Sequence, residues 1–456
     1  MAAPRIVVVG AGPAGTRAAE ALVSSGIRPV VIDEAARSGG QIYRRQPPNF
    51  KRGYEKLYGF DAQKALGLHQ CFDGFGDDID YRPETSVWNV RDRKLYTVCR
   101  NRSGEVEFDA AIFATGATDR LAPVKGWTLP GCFSLGGSQI ALKAQACSIG
   151  KRVAFFGTGP LLYLIAYQYA KAGVDVAAVI DTSPFANQAK AIPLLAARPS
   201  LLARGLYFRA FLASKRIPVH SGARSVEIVG SDRVRAVIVR TAGKTFEIET
   251  DAVGTGFHLR SENQLADLAG CSFLFDHLTQ QWRPNIDQDG RTDRAGIYLA
   301  GDGARILGAD AAETAGRLAA IGAMRDLGLP QSEDEIRRLR RQMQRFERFR
   351  KGLLVAFPWP EALAREATDD VLVCRCEAIT VGSLRQTAVH EDALELNRAK
   401  AFSRVGMGRC QGRFCGSAAA EIVAAARDVN LADVGRIRGQ APIKPFPGGI
   451  DEEVAA

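Results

Sequence analysis

Short runs of consecutive apolar residues, rather than alternating ones, mark the strands of this 456-residue chain. The run Ile6–Val9 leads into glycines, then into a helical pattern over residues 16–25 and a second apolar run at 29–32. Strands that are apolar on both faces are typical of a parallel sheet covered by helices. The order of strand, glycine turn and helix returns at 152–162, so the pattern predicts two α/β nucleotide-binding folds.

The first glycine turn, Gly-Ala-Gly-Pro-Ala-Gly at 10–15, stands directly between a strand and a helix. Such a turn lets backbone amides and a helix N-terminus approach a pyrophosphate. Asp33 and Glu34 end the next strand, where a carboxylate accepts from ribose hydroxyls, and the spacing favours Asp33. The predicted dinucleotide site contains Gly10, Gly12, Pro13, Ala14, Gly15, Asp33 and Glu34.

Three later motifs resemble the two-dinucleotide-binding flavoproteins related to glutathione reductase. They are Ser-Gly-Gly-Gln at 38–41, Ala-Thr-Gly at 114–116 and Gly-Asp-Gly at 301–303, the last two directly after apolar strands. The resemblance implies FAD in the first fold, with a carboxylate that accepts from the ribityl chain and a helix N-terminus that faces the flavin. It adds Gly40, Gln41, Thr115, Gly116, Gly301 and Asp302 to the FAD site.

The second glycine turn, at 157–162, has Leu162 where the third glycine would stand. A leucine there holds the helix away from the strand and perturbs a phosphate site. Gly157, Gly159 and Asp181 are the residues that would contact a second nucleotide. Three interpretations stay open: a structural domain that binds nothing, a site for ATP or another adenine nucleotide, and a working NADH site.

Four of the nine cysteines form two close pairs, Cys374 with Cys376 and Cys410 with Cys415. Thiolates suit iron-sulfur clusters or zinc, and zinc sites usually separate paired ligands by two to four residues rather than one. The pattern resembles the bacterioferritin-associated-ferredoxin-like [2Fe-2S] domain, which is small and mostly helical. That resemblance implies that the four cysteines bind a [2Fe-2S] cluster; zinc or no metal are the alternatives.

Charge and composition bear on the possible partners and on the cellular location of the protein. The net charge of +10 is concentrated in a helical segment at 335–351 that carries seven arginines, which indicates either a solvated linker or a docking surface rather than a nucleic-acid site. There is no apolar run of eighteen residues. We expect a cytoplasmic protein, free or loosely associated with the inner face of the membrane. The five histidines are isolated, and no residue is predicted to be catalytic.

Taken over nearly its whole length, the chain resembles the α subunits of heteromeric opine oxidases, proline and hydroxyproline dehydrogenases and cyanide-forming glycine dehydrogenases. The resemblance implies an electron-transfer subunit that takes electrons from an amino-acid-oxidase-like flavoprotein β subunit oxidising a C–N bond, with an octopine- or nopaline-like opine as the favoured substrate. It also implies an external electron acceptor and allows FMN at the subunit interface and a small third subunit. The alternative is a stand-alone NADH-dependent flavin and iron-sulfur reductase.

The expected fold class is α/β, a two-dinucleotide-binding flavoprotein with a small helical [2Fe-2S] domain. The expected boundaries are 1–135 with 258–330 for the FAD domain, 136–257 for the second nucleotide fold, 331–370 for a basic helical linker, 371–430 for the [2Fe-2S] domain and 431–456 for a tail. Pro447, Gly448 and Gly449 are among the proline and glycine residues that suggest a loose or wrapping tail.

Overall fold

A computed structural model of the chain describes residues 4–50 and 52–445. The FAD domain is built on a parallel five-stranded sheet. Its strands, in spatial order, are Ile297–Leu299, Ala110–Phe113, Ile6–Val9, Val30–Ile32 and Asp80–Arg82. Ile6–Val9 and Ala110–Phe113 are buried along their whole length, as the apolar runs predicted.

Two helices cover one face of this sheet and pack on each other. They are Pro13–Ser24 and Ala309–Asp326. Gly316 allows the close approach, because a Cβ atom there would lie 2.0 Å from the Ala14 carbonyl oxygen. Further helices of the domain are Tyr54–Tyr58, Ala62–Asp73 and Gln264–Leu268, with 3-10 turns at Gly59–Asp61, Gly76–Asp78 and Gly301–Gly303.

Antiparallel strands complete the FAD domain and join it to the second fold. A three-stranded sheet contains Thr85–Arg91, Lys94–Cys99 and Arg102–Glu107, and a hairpin contains Phe273–Asp276 and Gln281–Pro284. The chain passes to the second fold and back along the strand pair Ala117–Asp119 and Leu259–Ser261.

The second fold repeats the parallel architecture. The strand order is Val219–Ser221, Asp175–Asp181, Arg152–Thr158, Ala252–Phe257 and Cys132–Ser134, and a separate sheet contains Ser225–Gly230, Val234–Arg240 and Thr245–Glu249. Its helices are Leu135–Lys143, Pro160–Lys171, Phe185–Lys190, Ile192–Leu195 and Pro199–Ser214.

The basic segment forms the long helix Glu333–Ala356, which begins at Ser332, whose hydroxyl accepts from the Glu335 N–H. One side is apolar and buried, and two of its arginines are fixed by carboxylates of the FAD domain, Arg340 by Asp289 and Arg350 by Asp276, each at 2.6 Å. The opposite side is solvated and carries Arg337, Arg338, Arg341, Arg345 and Arg348.

The C-terminal module is mainly helical and docks on the second fold. Its elements are Ala362–Glu366, Leu372–Cys374, Ile379–Thr380, Val381–His390, Leu396–Ser403, Gly416–Arg427 and Leu431–Val434. Its apolar residues share one continuous core with the second fold. At this contact the buried Arg120 pairs with Glu421 at 2.8 Å and lies 3.3 Å from the centre of the Trp359 ring.

The described part of the tail packs against the FAD domain. Ile443 is buried, and its N–H donates to the Trp88 carbonyl at 3.1 Å. Lys444 forms an ion pair with Glu34 at 2.6 Å. Pro447, Gly448 and Gly449 lie outside the described residues.

Candidate functional site

A cavity of about 1840 Å³ opens at the carboxyl ends of the first sheet, where ligands bind in doubly wound folds. Eleven of the thirteen residues predicted for FAD line it. They are Gly10, Gly12, Pro13, Ala14, Asp33, Glu34, Gly40, Gln41, Thr115, Gly116 and Asp302. The other two glycines, Gly15 and Gly301, lie behind the cavity wall. A Cβ atom on Gly15 would lie 1.7 Å from the Gly10 carbonyl oxygen, and a Cβ atom on Gly301 would lie 2.8 Å from the Ala14 Cβ.

The glycine turn requires a residue without a side chain at Gly10. Gly10 has a φ of +108°, and a Cβ atom there would lie 2.4 Å from the Ala114 carbonyl oxygen. The turn therefore lies directly against the Ala-Thr-Gly segment, and the helix Pro13–Ser24 begins at the cavity wall. The N–H groups at this helix N-terminus favour a phosphate ligand.

Asp33 and Glu34, at the end of the second strand, have different hydrogen-bond partners and different exposure. The Asp33 carboxylate accepts from the N–H of Ala11 and, at 2.7 Å, from that of Ala35. Burial raises the pKa of Asp33, while these two backbone donors oppose the rise. A carboxylate has about four acceptor positions, so Asp33 retains capacity for a ribose hydroxyl. Glu34 is exposed at the cavity rim, in its ion pair with Lys444.

Asp302 shapes the other side of the cavity. Its Oδ1 accepts from the N–H groups of Leu307 at 2.9 Å and Gly308 at 3.1 Å, immediately before the helix Ala309–Asp326. Burial raises the pKa of Asp302. Gly308 and Ala309 line the cavity, so a second helix N-terminus points into it. Both helix dipoles favour negative charge on a bound group.

Buried polar atoms without partners among the described residues show that the cavity fits a polar cofactor. Thr118 and Glu262 line the cavity wall. Thr118 Oγ1 and Glu262 Oε1 are buried, and neither atom has a hydrogen-bond partner within the described chain. A buried polar atom of this kind is destabilising unless a ligand or water binds it. Together with the glycine turn, these atoms fit FAD.

The four paired cysteines come together in one loop region. Cys374 ends the strand Leu372–Cys374, and Cys415 directly precedes the helix Gly416–Arg427. Thiol contacts connect Cys415 with both Cys374 and Cys410, and Cys376 with Cys410. No three His, Cys, Asp or Glu side chains of the described chain surround a point suited to one ion. A two-iron cluster takes two thiolates on each iron, so these pairwise contacts fit it.

Backbone amides point at the sulfur atoms. The N–H groups of Gly406 and Glu377 donate to Cys374, and those of Gly412 and Phe414 donate to Cys410. The thiol of Cys415 donates to both cysteines, and this contact is the largest cause that lowers the pKa of Cys374 to about 6 and that of Cys410 to about 5. The pKa of Cys415 itself is raised, first by Cys374 and Cys410. Thiolates with backbone donors are the ligands that iron requires.

The cysteine loop touches the FAD cavity. Phe414, next to Cys415, lines the cavity wall. Arg413 forms a buried ion pair with Glu262 at 2.9 Å, and Arg260 donates to the Arg413 carbonyl at 3.0 Å. Sequence motifs gave no signal for Arg260 or Glu262, and the cysteine motif that contains Phe414 did not predict its place on the cavity wall, because each acquires its position only when the module docks.

At the second glycine turn, unlike the first, the acidic residue is bonded to other residues of its own domain. Asp181 is fully buried, and its carboxylate accepts from Tyr163 Oη at 2.7 Å and from the Ser183 N–H at 2.8 Å. Burial raises the pKa of Asp181. Gly157 and Gly159 keep left-handed φ angles of +150° and +105°. The acidic residue predicted to contact a ribose is thus engaged inside the domain.

The linker covers this turn. His258 packs 3.4 Å from the position of a Cβ atom on Gly159, and its Nε2 contacts the Phe357 carbonyl at 2.7 Å. The Phe357 ring lies 6.1 Å from that of Tyr163. Aromatic side chains therefore occupy the region above the second glycine turn.

The geometry can be compared with known proteins. A model of the pyridine nucleotide-disulphide oxidoreductase family matches residues 4–319, and a model of the BFD-like [2Fe-2S] binding domain matches residues 372–425. The chain is 38% identical to the A subunit of opine oxidase from Agrobacterium tumefaciens (strain Ach5), over 96% of this chain and 90% of that protein. This chain belongs to the family of opine oxidase A subunits. It is therefore a flavin-dependent oxidoreductase subunit that binds FAD and a [2Fe-2S] cluster.

Two further proteins resemble this opine oxidase family member over nearly its full length. Hydrogen cyanide synthase subunit HcnB of Pseudomonas aeruginosa is 32% identical, over 97% of both chains. The crystal structure of L-proline dehydrogenase from P. horikoshii has the same fold, with a TM-score of 0.74 at 18% identity over all of this chain and 80% of that one. The predicted fold class and family are confirmed. Within residues 4–50 and 52–445, no helix has the length and apolarity to cross a membrane.

Proposed function

We propose that this chain is the electron-transfer subunit of a heteromeric dehydrogenase that oxidises the C–N bond of an opine or of an amino or imino acid. A separate flavoprotein subunit would oxidise the substrate and pass the electrons to this chain. The observation that carries the proposal is the position of Phe414, which lines the FAD cavity and is followed directly by Cys415. A flavin and a cluster held on either side of one side chain can exchange electrons.

Each part of the chain has a role in this proposal. When bound, FAD takes up a hydride equivalent and the [2Fe-2S] cluster exchanges single electrons. Gly10, Gly12 and the helix that follows would hold the pyrophosphate, and Asp33 or Glu34 the ribose. Asp302 and its helix N-terminus would face the flavin and favour its negative charge. Cys374, Cys376, Cys410 and Cys415 would be the four ligands of the cluster.

The state of the second fold argues against the stand-alone NADH-dependent reductase. Tyr163 and Ser183 already bind Asp181, and Phe357 lies above the turn that would contact the phosphates. Of the three interpretations left open by the sequence, we propose the structural domain that binds no nucleotide. Electrons then have to arrive from a partner rather than from a nicotinamide bound to this chain.

The source of electrons is tested by anaerobic titration of the FAD- and cluster-loaded chain. We expect NADH and NADPH to leave the flavin absorbance unchanged over minutes. We expect rapid bleaching when an opine is added to the chain co-purified with its flavoprotein partner subunit. Prompt bleaching by NADH alone would contradict the proposal, and bleaching by no opine, amino acid or imino acid in the complex would contradict the substrate class.

A further inference from the structure

One edge of the cysteine loop faces solvent. Cys374 and Cys415 are buried, Cys410 is half-buried and Cys376 is exposed. Gly408 lies directly against Cys376, since a Cβ atom on Gly408 would lie 2.3 Å from the Cys376 Cβ. A cluster held by these thiols therefore has one side directed toward Phe414 and another accessible from outside.

The exposed edge is strongly basic. From 398 to 413 the sequence has five cationic residues and no carboxylate. Four arginines in the segments that carry Cys376 and Cys410 are exposed: Arg375, Arg398, Arg404 and Arg409. Arg404 is paired with Glu377 at 2.8 Å. Over the described residues, the other three have no carboxylate partner; the Arg375 guanidinium lies 5.5 Å from the Phe414 ring centre, and the charges of Arg398 and Arg409 are available to a partner molecule.

An aromatic side chain lies within the same surface. Phe402 is 51% exposed, and the Arg398 guanidinium lies 5.5 Å from its ring centre. An apolar aromatic residue with an arginine rim is typical of protein contact surfaces rather than of small-ion sites. We name this region the arginine edge and define it by Arg375, Cys376, Arg398, Phe402, Arg404 and Arg409.

We propose that the arginine edge is the docking site for an acidic one-electron carrier protein that takes electrons from the cluster. This rests on the proposed function, because it requires the four cysteines to hold the cluster. In each encounter the reduced cluster loses one electron and the carrier gains one. Two carrier molecules are then reduced for each hydride equivalent that enters through FAD. Charge complementarity selects an acidic protein over a neutral quinone.

The test compares two double variants with the same change in net charge. Arg398→Glu with Arg409→Glu alters the arginine edge, and Arg341→Glu with Arg345→Glu alters the solvated side of the linker helix. The full chain is photoreduced anaerobically and mixed in a stopped-flow instrument with ferricyanide, hexaamminecobalt(III) or an acidic Rieske-type ferredoxin, whose higher potential lets it act as the oxidant. Cluster absorbance reports the rate of oxidation.

We expect the arginine-edge variant to react roughly tenfold more slowly with ferricyanide and with the ferredoxin, and faster with the cobalt cation, because the field at the exposed edge changes sign. The linker variant keeps the wild-type rates. For the wild type, the ferricyanide rate falls as salt is added. Equal rates for all three proteins, or fast oxidation by a neutral quinone that is unaffected by either variant, would overturn the docking proposal.

Failure of the proposed function gives a different result. Iron and sulfide content and the electron paramagnetic resonance signal of the reduced wild type are measured first. If they are absent, the cysteines do not hold the cluster and the proposed function itself fails. If they are present in all three proteins and the rates still do not differ, only the docking site is wrong. Circular dichroism confirms that the variants are folded.

Discussion

Glu262 connects the FAD cavity with the cysteine loop through three separate contacts. Its carboxylate pairs with Arg413 at 2.9 Å, and both side chains are at most 10% exposed. Its backbone carbonyl accepts from Thr115 Oγ1, and its N–H donates to the Gly116 carbonyl at 2.9 Å. The Ala-Thr-Gly turn beside the flavin and the loop beside the cluster are thus fixed to one residue. Any change in Glu262 affects their relative position.

Glu262→Gln is expected to weaken this connection strongly. The variant leaves the buried Arg260 and Arg413 without their counter-charge, and loss of one partner of a buried pair typically destabilises by about 3–5 kcal/mol. We expect a lower Tm and slower electron transfer from flavin to cluster. Glu84→Gln, which removes an exposed pair with Arg100, is the matched control and should leave both unchanged. Equal Tm values for the two variants would contradict the role of Glu262.

The same pair makes stability depend on pH. Burial alone would raise the pKa of Glu262, but Arg260 and Arg413 outweigh it and hold the pKa below the ordinary 4.5. The unfolded carboxyl therefore binds a proton first as pH falls. The stabilisation is complete above pH 4.5 and is lost as pH drops through the lower folded pKa. The difference in Tm between wild type and Glu262→Gln should accordingly shrink as the pH falls below 4.5.

Gly15→Ala tests the predicted FAD site. The added Cβ atom would lie 1.7 Å from the Gly10 carbonyl oxygen, which forces the strand and helix apart. We expect protein that purifies with little or no FAD, measured by flavin absorbance per chain. Gly67→Ala is the control, because a Cβ atom there meets nothing within 4 Å and Gly67 lies within the helix Ala62–Asp73. Full FAD content in Gly15→Ala would show that the turn does not hold the cofactor.

Cys415→Ser is expected to remove the cluster while FAD remains. Cys415 contacts two of the other three thiols, so its loss breaks the ligand set at its centre. Iron and acid-labile sulfide should fall from about two each per chain to near zero. Cys147→Ser, at an exposed site outside the module, should retain both. Bound zinc without sulfide in the wild type would instead support the zinc alternative.

Tyr163→Phe tests whether the second fold is a structural domain in which Asp181 binds no nucleotide. It removes one of two hydrogen bonds to Asp181 Oδ2, since Gln188 Nε2 also donates to that atom at 3.2 Å. Loss of one hydrogen bond costs about 0.5–1.5 kcal/mol. We expect a lower Tm with unchanged FAD and cluster content. Tyr207→Phe, at a residue that is 45% exposed, should have no measurable effect on Tm. If Asp181 instead served a nucleotide, added NADH or ATP would raise the Tm of the wild type.

Local sequence patterns were sufficient for the elements that FAD requires. Only certain residues allow the chain geometry of these elements, so their residues can be recognised in the sequence. They are the apolar run Ile6–Val9, the glycines at 10–15 and the Gly-Asp-Gly motif. The cysteine pairs were equally visible, because two of the four residues in 374–377 are cysteines. The limits of helices were less visible: the basic helix extends over Glu333–Ala356 rather than 335–351, since Ser332 caps it and apolar residues continue it.

Contacts between distant segments could not be read from the sequence. Leu162 predicted a perturbed second nucleotide site, but the stronger obstacles are Tyr163 on Asp181 and Phe357 from the linker. Phe357 is nearly two hundred residues from Tyr163 along the chain. Likewise, Glu262 lies in no motif, and its pairing with Arg413, which stands between Cys410 and Cys415, depends on a docked module. Sequence periodicity describes single elements, whereas these contacts arise from tertiary packing.

The position of Ile443 and Lys444 on the cavity wall has a consequence for the order of assembly. These residues are synthesised after every other part of that wall, so a nascent chain can form the glycine turn and both helices around an open cleft. FAD can enter that cleft before the final residues pack against Trp88 and Glu34. Cofactor loading can thereby precede closure of the cleft, and a change that keeps Ile443 and Lys444 from packing should lower flavin retention.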